Sequence, residues 1–414
     1  MSTEKKNYAL PIAMMFALFF MIAFVTGLPS PMGVIVAKQF GATNFESQLG
    51  FLGNFLAYAF MGIPAGIMLK KLGYKKTALS AIGVGFVGVG VQFLSGQVGL
   101  FSIYLVGTFI SGFSMCMLNT LGGGGNSGNR LLQFGGSINS IGATITPMLV
   151  GWLMGAEAGR TIEKANPALF LALGIFALAF VVLSFVNIPE PHMETAAERK
   201  VKHSHSPLSF RHFIFGAIAI FIYVGIEIGI PSTANLFMTA SKTATNAGLG
   251  IEATTAGSIV GVYWLLMLVG RLIGASIGAK VSSKSMMIGV SALGLVLILA
   301  AILSPITTTV TLPYFGTQVP LSIVFLVLCG LCTSIMWGGV FNLAVEGLGK
   351  YTAAGAGIFM VMVCGGGIVP LIQGFVSDHF GYLNSYWVMF ACIAYMMWYA
   401  LVGCKNVNKD IPVE

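Results

Sequence analysis

The sequence predicts an all-α membrane protein with twelve transmembrane helices in two six-helix bundles. Three observations carry that expectation. Of 414 residues, 56% are hydrophobic and only 8% charged, whereas a soluble protein is roughly a quarter charged, so a water-facing surface cannot be built from them. Apolar runs long enough to cross hydrocarbon, which takes about 20 residues, recur along the whole chain. The basic residues gather on alternate breaks between those runs.

The runs of the first half cover 10–35, 49–69, 77–94, 100–120, 131–154 and 169–186, and those of the second cover 213–236, 256–277, 286–303, 321–345, 353–376 and 385–402. MSTEKKNYALP leads straight into the first run with no small-residue cleavage site after it, so this helix reads as retained and not as a signal peptide. The longest polar interruption, NIPEPHMETAAERKVKHSHSPLSFRH, divides six runs from six. The expected organisation is an N-terminal bundle over 1–186, a cytoplasmic linker over 187–212, and a C-terminal bundle with a short cytoplasmic tail over 213–414.

The net charge of +8 is a topology signal. With the N-terminus in the cytoplasm, sixteen of the 21 basic residues fall on that side, including Lys70, Lys71, Lys75, Lys76 and Arg130, and only Lys38, Arg160, Lys164 and Lys242 fall outside. That positive-inside bias accounts for the charge without nucleic acid and places both termini in the cytoplasm.

The halves also resemble one another. GGSINSIGATITPMLVG (135–151) recurs loosely as MVMVCGGGIVPLIQG (360–374), aligning Pro147 with Pro370, and PAGIMLKKLGYKK (64–76) has a faint counterpart in GRLIGASIGAKVSSK (270–284). Equivalent places in a 6+6 layout are what a transporter built from repeats about an axis along the membrane normal would show. Abundant Gly suits close helix packing. The six cysteines are scattered and form no disulfide framework, and the CxxC of Cys329 and Cys332, inside an apolar run, reads as small packing residues.

A charge inside a bilayer costs several kcal/mol, which makes intramembrane ionisable residues functional candidates. Glu227, near the middle of the seventh run, is the candidate for solute binding, proton coupling, or both; the structural alternative is a carboxylate paired with a basic or amide group of another helix. Arg271 in the eighth run, toward its cytoplasmic end, could snorkel, pair with an acid or meet an anionic solute, and is assigned with Arg130 to gating or structure. The amides Asn54, Asn119, Asn139, Asn342 and Gln373, with the aromatics Tyr223, Trp264 and Trp337, are the groups a sugar site needs: donors and acceptors for hydroxyls, and rings for the C–H face of the sugar. Amides also hold transmembrane helices together. Pro29 and Pro31, and the run Gly365, Gly366, Gly367, mark helix breaks or simple kinks. LGGGGNSGNR (121–130) lacks the GK[ST] ending of a phosphate-binding loop and reads as a turn. No nucleophile, metal or cofactor signature appears.

NFESQLGFLGNFLAYAFMGIPAGIMLKKLGYKK, FGGSINSIGATITP, YVGIEIGIPS and LAVEGLGKYTAAGAGIFMVMVCGGGIVPLIQGFVSD together resemble the fucose permease group of the major facilitator superfamily, nearly end to end. The resemblance implies two six-helix bundles, a central site facing each side of the membrane in turn, and uptake driven by the proton gradient. The group's amide in the fifth helix falls on Asn139, and the polar residue of its seventh-helix YVGxx(Q/E) pattern falls on Glu227. Two departures stand against these agreements. The Asp that fucose permeases carry in the first helix is replaced in Leu28, Pro29, Ser30, and the Glu of their fourth-helix LETAANP is replaced in Leu118, Asn119, Thr120, where about eight residues of the pattern are missing.

The expected function is therefore import of a monosaccharide, a hexose such as glucose, galactose or fucose, across a bacterial cytoplasmic membrane, by proton symport and alternating access in a monomer without cofactors. An amino-sugar or acidic-sugar carrier, sodium coupling, facilitative transport and a solute sensor of the same fold are the alternatives.

Overall fold

The computed structural model describes residues 9–121, 128–153, 161–186, 205–243, 246–278, 280–408 and 410–413. The first apolar run forms α1 (Ala9–Gly27) and α2 (Pro29–Phe40). Proline has no N–H to donate, and the helix is interrupted at Leu28, before Pro29 and Pro31. The break is a kink: Leu28 keeps right-handed helical dihedrals, and Met32 N donates to the Leu28 carbonyl at 3.1 Å.

A one-turn helix, α3 (Asn44–Ser47), leads into α4 (Leu49–Val98), whose 50 residues form two spans. At about 1.5 Å per residue a straight helix of that length would reach about 75 Å, far beyond a hydrocarbon core of about 30 Å. Gly73, at φ 81° and ψ 177°, breaks it. Both limbs then pack on α5 (Phe101–Leu121): Gly112 sits against the Asn54 carbonyl of the first limb, and Gly88 of the second limb sits against Ser111. Only a chain that folds back on itself can bring 54 and 88 to adjacent residues of one helix.

The remaining spans are α6 (Gly128–Leu153), α7 (Asn166–Phe185), α8 (Arg211–Thr239), α9 (Ala253–Ile277), α10 (Ser283–Leu303), α11 (Leu321–Val345), the pair α12 (Thr352–Met362) and α13 (Gly365–Phe380), and α14 (Tyr382–Trp398), which continues into a π-turn at Tyr399–Gly403. A short hairpin, β1 (Thr309–Thr311) with β2 (Gln318–Pro320), joins α10 to α11. Among the described residues ten helical runs are long and apolar enough to cross a membrane; counting both limbs of α4 and adding the 26-residue α6 gives the expected twelve.

Two boundaries differ from expectation. α8 begins at Arg211, because His212 is fully buried and its Nε2 lies 2.9 Å from the Glu346 carbonyl, so the polar connection is shorter than 187–212. α6 begins at Gly128, which puts Arg130 in a helix and not in a turn. Residues 122–127 of the glycine-rich segment, residues 187–204 and the side chain of Arg130 lie outside the described residues.

In the first half α1 packs on α5, α6 and α7, and α4 on α5 and α7; in the second, α8 packs on α9, α11, α13 and α14, and α10 on α11 and α14. The halves meet where α6 lies on α9 and where α4 lies on α12 and α13. Gly365 abuts the Phe221 carbonyl of α8, and a Cβ on Gly367 would lie 2.7 Å from Leu52 Cα of α4. The triple glycine expected to mark a break or kink also lets α13 approach two helices at once.

Gly112→Val tests this packing. Its side chain would collide with the Asn54 carbonyl, and overpacking of a filled core costs about 1–3 kcal/mol. The detergent-solubilised variant is expected to melt several degrees below the wild type by intrinsic tryptophan fluorescence, with unchanged helix content by circular dichroism.

Candidate functional site

Glu227 lies at the middle of α8, four residues before Pro231. Because Pro231 has no N–H, the carbonyl of Glu227 loses its helical donor. Tyr263 of α9 supplies a replacement: its hydroxyl donates to the Glu227 carbonyl at 3.3 Å and lies 3.1 Å from Thr333 Oγ1 of α11. The proline thus opens one backbone acceptor, and a buried tyrosine closes it, tying three helices together at the level of the carboxylate.

The carboxylate itself faces Arg271 of α9, with Arg271 Nη2 3.6 Å from Glu227 Oε1. Arg271 Nη1 donates to Ser140 Oγ of α6 at 2.8 Å. Both charged side chains keep some exposure, 16% for Glu227 and 20% for Arg271. The Tyr223 hydroxyl, buried and without a hydrogen bond of good geometry, is within electrostatic reach of both charges. Two ring pairs involve the tyrosines of this region, with Tyr223 and Trp337 centroids 6.0 Å apart and Tyr263 and Trp264 centroids 5.3 Å apart.

Of the residues singled out from sequence, Glu227, Arg271 and Tyr223 lie together; Trp337 is a ring neighbour of Tyr223, Trp264 is a ring neighbour of Tyr263, and Asn139 is half-buried on α6. Asn119 lies in the first half, donating to the Tyr58 hydroxyl at 2.6 Å. Asn54 is buried there too, and its Oδ1 has no partner. Phe55, stacked on Tyr58, and Val224, next to Tyr223 on α8, both press on Gly366, which puts this first-half group close to the turn of α8 that carries Tyr223. Gln373 is buried beside Gly229, with its Nε2 3.5 Å from Ser385 Oγ and its Oε1 unpaired. Asn342 stands apart at the exposed end of α11, where it donates to Ser283 Oγ at 3.4 Å; the apolar run around it concealed that it sits near the helix terminus.

At one end of the bundle the halves are joined by polar bonds. The Asp378 carboxylate of α13 accepts from the backbone N–H groups of Asn44 at 2.8 Å and Phe45 at 2.9 Å, and the Tyr382 hydroxyl donates to Asn44 Oδ1 at 2.9 Å. Deeper in, Gln48 donates to Ser232 Oγ at 3.2 Å, and Asn235 donates to Ser30 Oγ at 3.3 Å. Gly374 fits under this latch, since a Cβ there would lie 2.9 Å from the Asn44 carbonyl oxygen.

The family model of the Major Facilitator Superfamily matches residues 14–369. The chain belongs to this superfamily. Within it, the chain is 27% identical over 416 residues to a glucose/galactose transporter of Brucella abortus, covering 98% of this chain and 97% of that one. It is 23% identical to the L-fucose-proton symporter of Escherichia coli, covering 91% and 89%. Among solved structures, the fucose:proton symporter FucP in its outward conformation superposes with a TM-score of 0.67 at 20% identity, over 96% of this chain and 100% of that one. The nucleoside transporter NupG gives 0.67 at 14% identity, over 95% and 100%.

In this member of the superfamily, the two positions where fucose permeases were expected to carry carboxylates hold neutral hydrogen-bonding groups, Ser30 facing Asn235 and Asn119 facing Tyr58. Sequence reasoning missed Ser140, Tyr263 and Asp378. Tyr263 was the hardest to find, because a helical proline shows which carbonyl is freed and gives no sign of which helix supplies the donor.

The latch yields a prediction. A hydrogen bond to a charged group contributes about 1.5–3 kcal/mol, so Asp378→Asn should raise maleimide labelling of a cysteine placed at the buried Ser47 by about tenfold or more; unchanged labelling would mean that the carboxylate does not hold this end shut.

Proposed function

We propose that this chain is a secondary active transporter that imports a neutral monosaccharide, a hexose such as glucose, galactose or fucose, by alternating access with a proton carried on Glu227. It works in a bacterial cytoplasmic membrane with both termini inside. The observation that carries the reading is the partly exposed Glu227–Arg271 pair inside the membrane-spanning bundle, with Tyr223 beside it and the Trp337 ring 6.0 Å from that of Tyr223. Rings of this kind suit the C–H face of a sugar, and amides and hydroxyls suit its polar edge. The names of the relatives, glucose/galactose transporters and fucose-proton symporters, support the same substrate class.

The charge state of the site favours a neutral sugar over an acidic one. Arg271 is already met by Glu227, so a sugar carboxylate would have to displace that partner and leave an uncompensated charge in the membrane. The latch at Asn44, Asp378 and Tyr382 supports alternating access, because a route to the site from that end needs those bonds to open. On the orientation given by the positive-inside bias, that end is extracellular.

A second reading has its own observation. With Ser30 and Asn119 in neutral bonds, the proton sites implied by the resemblance are lost, so sodium coupling or facilitative transport is the competing mechanism.

Uptake of radiolabelled D-glucose, D-galactose and L-fucose into proteoliposomes, with and without an imposed pH gradient, separates these readings. A sugar should accumulate only with the gradient, and Glu227→Gln should abolish accumulation while retaining counterflow exchange. Simple equilibration, or a requirement for a sodium gradient, would remove the proton; movement of none of the three sugars would remove the substrate class.

A further inference from the structure

We propose that Arg271 is the positioning residue that transmits the charge state of Glu227 to the opposite half of the molecule, through its hydrogen bond to Ser140. The inference rests on the reading of Glu227 as the proton carrier and extends it to how the proton moves the halves.

The guanidinium spans a boundary. Its Nη2 faces Glu227 on α8 at 3.6 Å, within the second half, while its Nη1 donates to Ser140 Oγ on α6 at 2.8 Å, within the first. A planar fork can serve two acceptors in different directions at once, which a lysine ammonium on a flexible stem does less well. Ser140 is buried at 1% exposure, so its hydroxyl is a fixed acceptor and not a surface group that swings away.

Beside this bond α9 lies close on α6: a Cβ on Gly257 would come 3.2 Å from the Pro147 carbonyl oxygen, and one on Gly261 would come 3.1 Å from the Thr144 carbonyl oxygen and 3.4 Å from Met148 Sδ. These are van der Waals approaches, and a charged hydrogen bond across the same helix pair adds a directional tie to their relative position.

The titratable and charged groups facing Glu227 are Tyr223 on its own helix and Arg271 and Tyr263 on α9. Among them Arg271 carries the opposing charge. When the carboxylate is ionised, the guanidinium is shared between Glu227 and Ser140. When hydronium gives its proton to the carboxylate, one O–H bond of hydronium breaks, one forms on Glu227, a water molecule is released, and the negative charge of the carboxylate is lost. Arg271 is then released from its ion pair, and its hold on Ser140 changes while α8 and α9 stay joined through Tyr263. A proton taken up in the second half thereby alters the bond to the first.

The test uses the full chain in proteoliposomes with radiolabelled D-galactose, comparing gradient-driven accumulation with counterflow exchange across a pH series. Ser140→Ala leaves Glu227 and Arg271 in place and removes the hydroxyl that accepts across the halves; Arg271→Lys keeps the charge and loses the fork. For both, the ratio of accumulation to exchange should fall by about tenfold, as expected for loss of a charge-assisted hydrogen bond, and the pH profile of exchange should flatten. Ser140→Thr, which retains the hydroxyl, should restore the ratio and serves also as the control for folding. If accumulation and exchange fall in parallel in Ser140→Ala, or neither falls, Ser140 is a packing residue and the proposal is wrong. If the wild type is gradient-driven and Glu227→Gln is uncoupled, yet both test variants behave as wild type, only this proposal fails. If the wild type shows no gradient dependence, the proton-carrier reading itself fails, and the proposal goes with it.

Discussion

A charge taken into a membrane has to be met there, and the interior of this protein is arranged around one such compensation. Placing an isolated carboxylate or guanidinium at bilayer depth costs at least about 2.5–3.5 kcal/mol. Glu227 and Arg271 offset one another at 3.6 Å, and Arg271 also donates to Ser140. The offset favours α8 and α9 as neighbours at this level. The pair is also loose: a separation of 3.6 Å and partial exposure leave it responsive to a proton or to a polyhydroxylated solute in a way that a buried, bidentate pair would not be.

The second constraint is that backbone groups in a membrane have to be satisfied inside the protein. Pro231 breaks that rule at Glu227, the proposed proton carrier, and the repair by Tyr263 and Thr333 ties Glu227 to α9 and α11. Local weakness in α8 is thus converted into tertiary connection. Across the halves the logic is opposite. Among the described residues, close contacts there are made at glycines, and polar bonds cross at the latch around Asp378, at Gln48 with Ser232, at Asn235 with Ser30, and at Arg271 with Ser140. Firm joints inside each half and a few discrete bonds between halves are what rocking of two rigid bodies requires.

Much of this was legible in the sequence. Apolar length and positive-inside bias specified twelve spans, and scarcity of charge singled out Glu227 and Arg271 because so few ionisable groups lie within the runs. Individual pairings were not legible. Asn342 and Asn54 look alike in sequence, each an amide in an apolar run, yet one ends at an exposed helix terminus and the other is buried with an unpaired oxygen. Periodicity gives depth along a helix poorly when the helix is hydrophobic on all sides, and facing depends on contacts between segments more than 100 positions apart, as between Ser140 and Arg271. His212 shows the same limit: it stands in a polar stretch of the sequence, yet it is buried with its Nε2 2.9 Å from the Glu346 carbonyl.

The neutral bonds at Ser30 and Asn119 bear on where coupling can reside. Ser30 accepts from Asn235 across the halves, and Asn119 donates to Tyr58 within the first half; neither changes charge in the physiological range. A proton bound in the first half would need an acceptor, and among the polar side chains described in the central part of that half there are amides and hydroxyls and no carboxylate. The opposing charges are on α8 and α9, both in the second half. If uptake is proton-driven, the energy therefore enters on one side of the molecular boundary and has to cross it to move the other, and the bond from Arg271 to Ser140 is the point at which that boundary is bridged by a charged group next to the titrating one. Among the described residues, a fold built from two similar halves carries the Glu227–Arg271 pair within its second half.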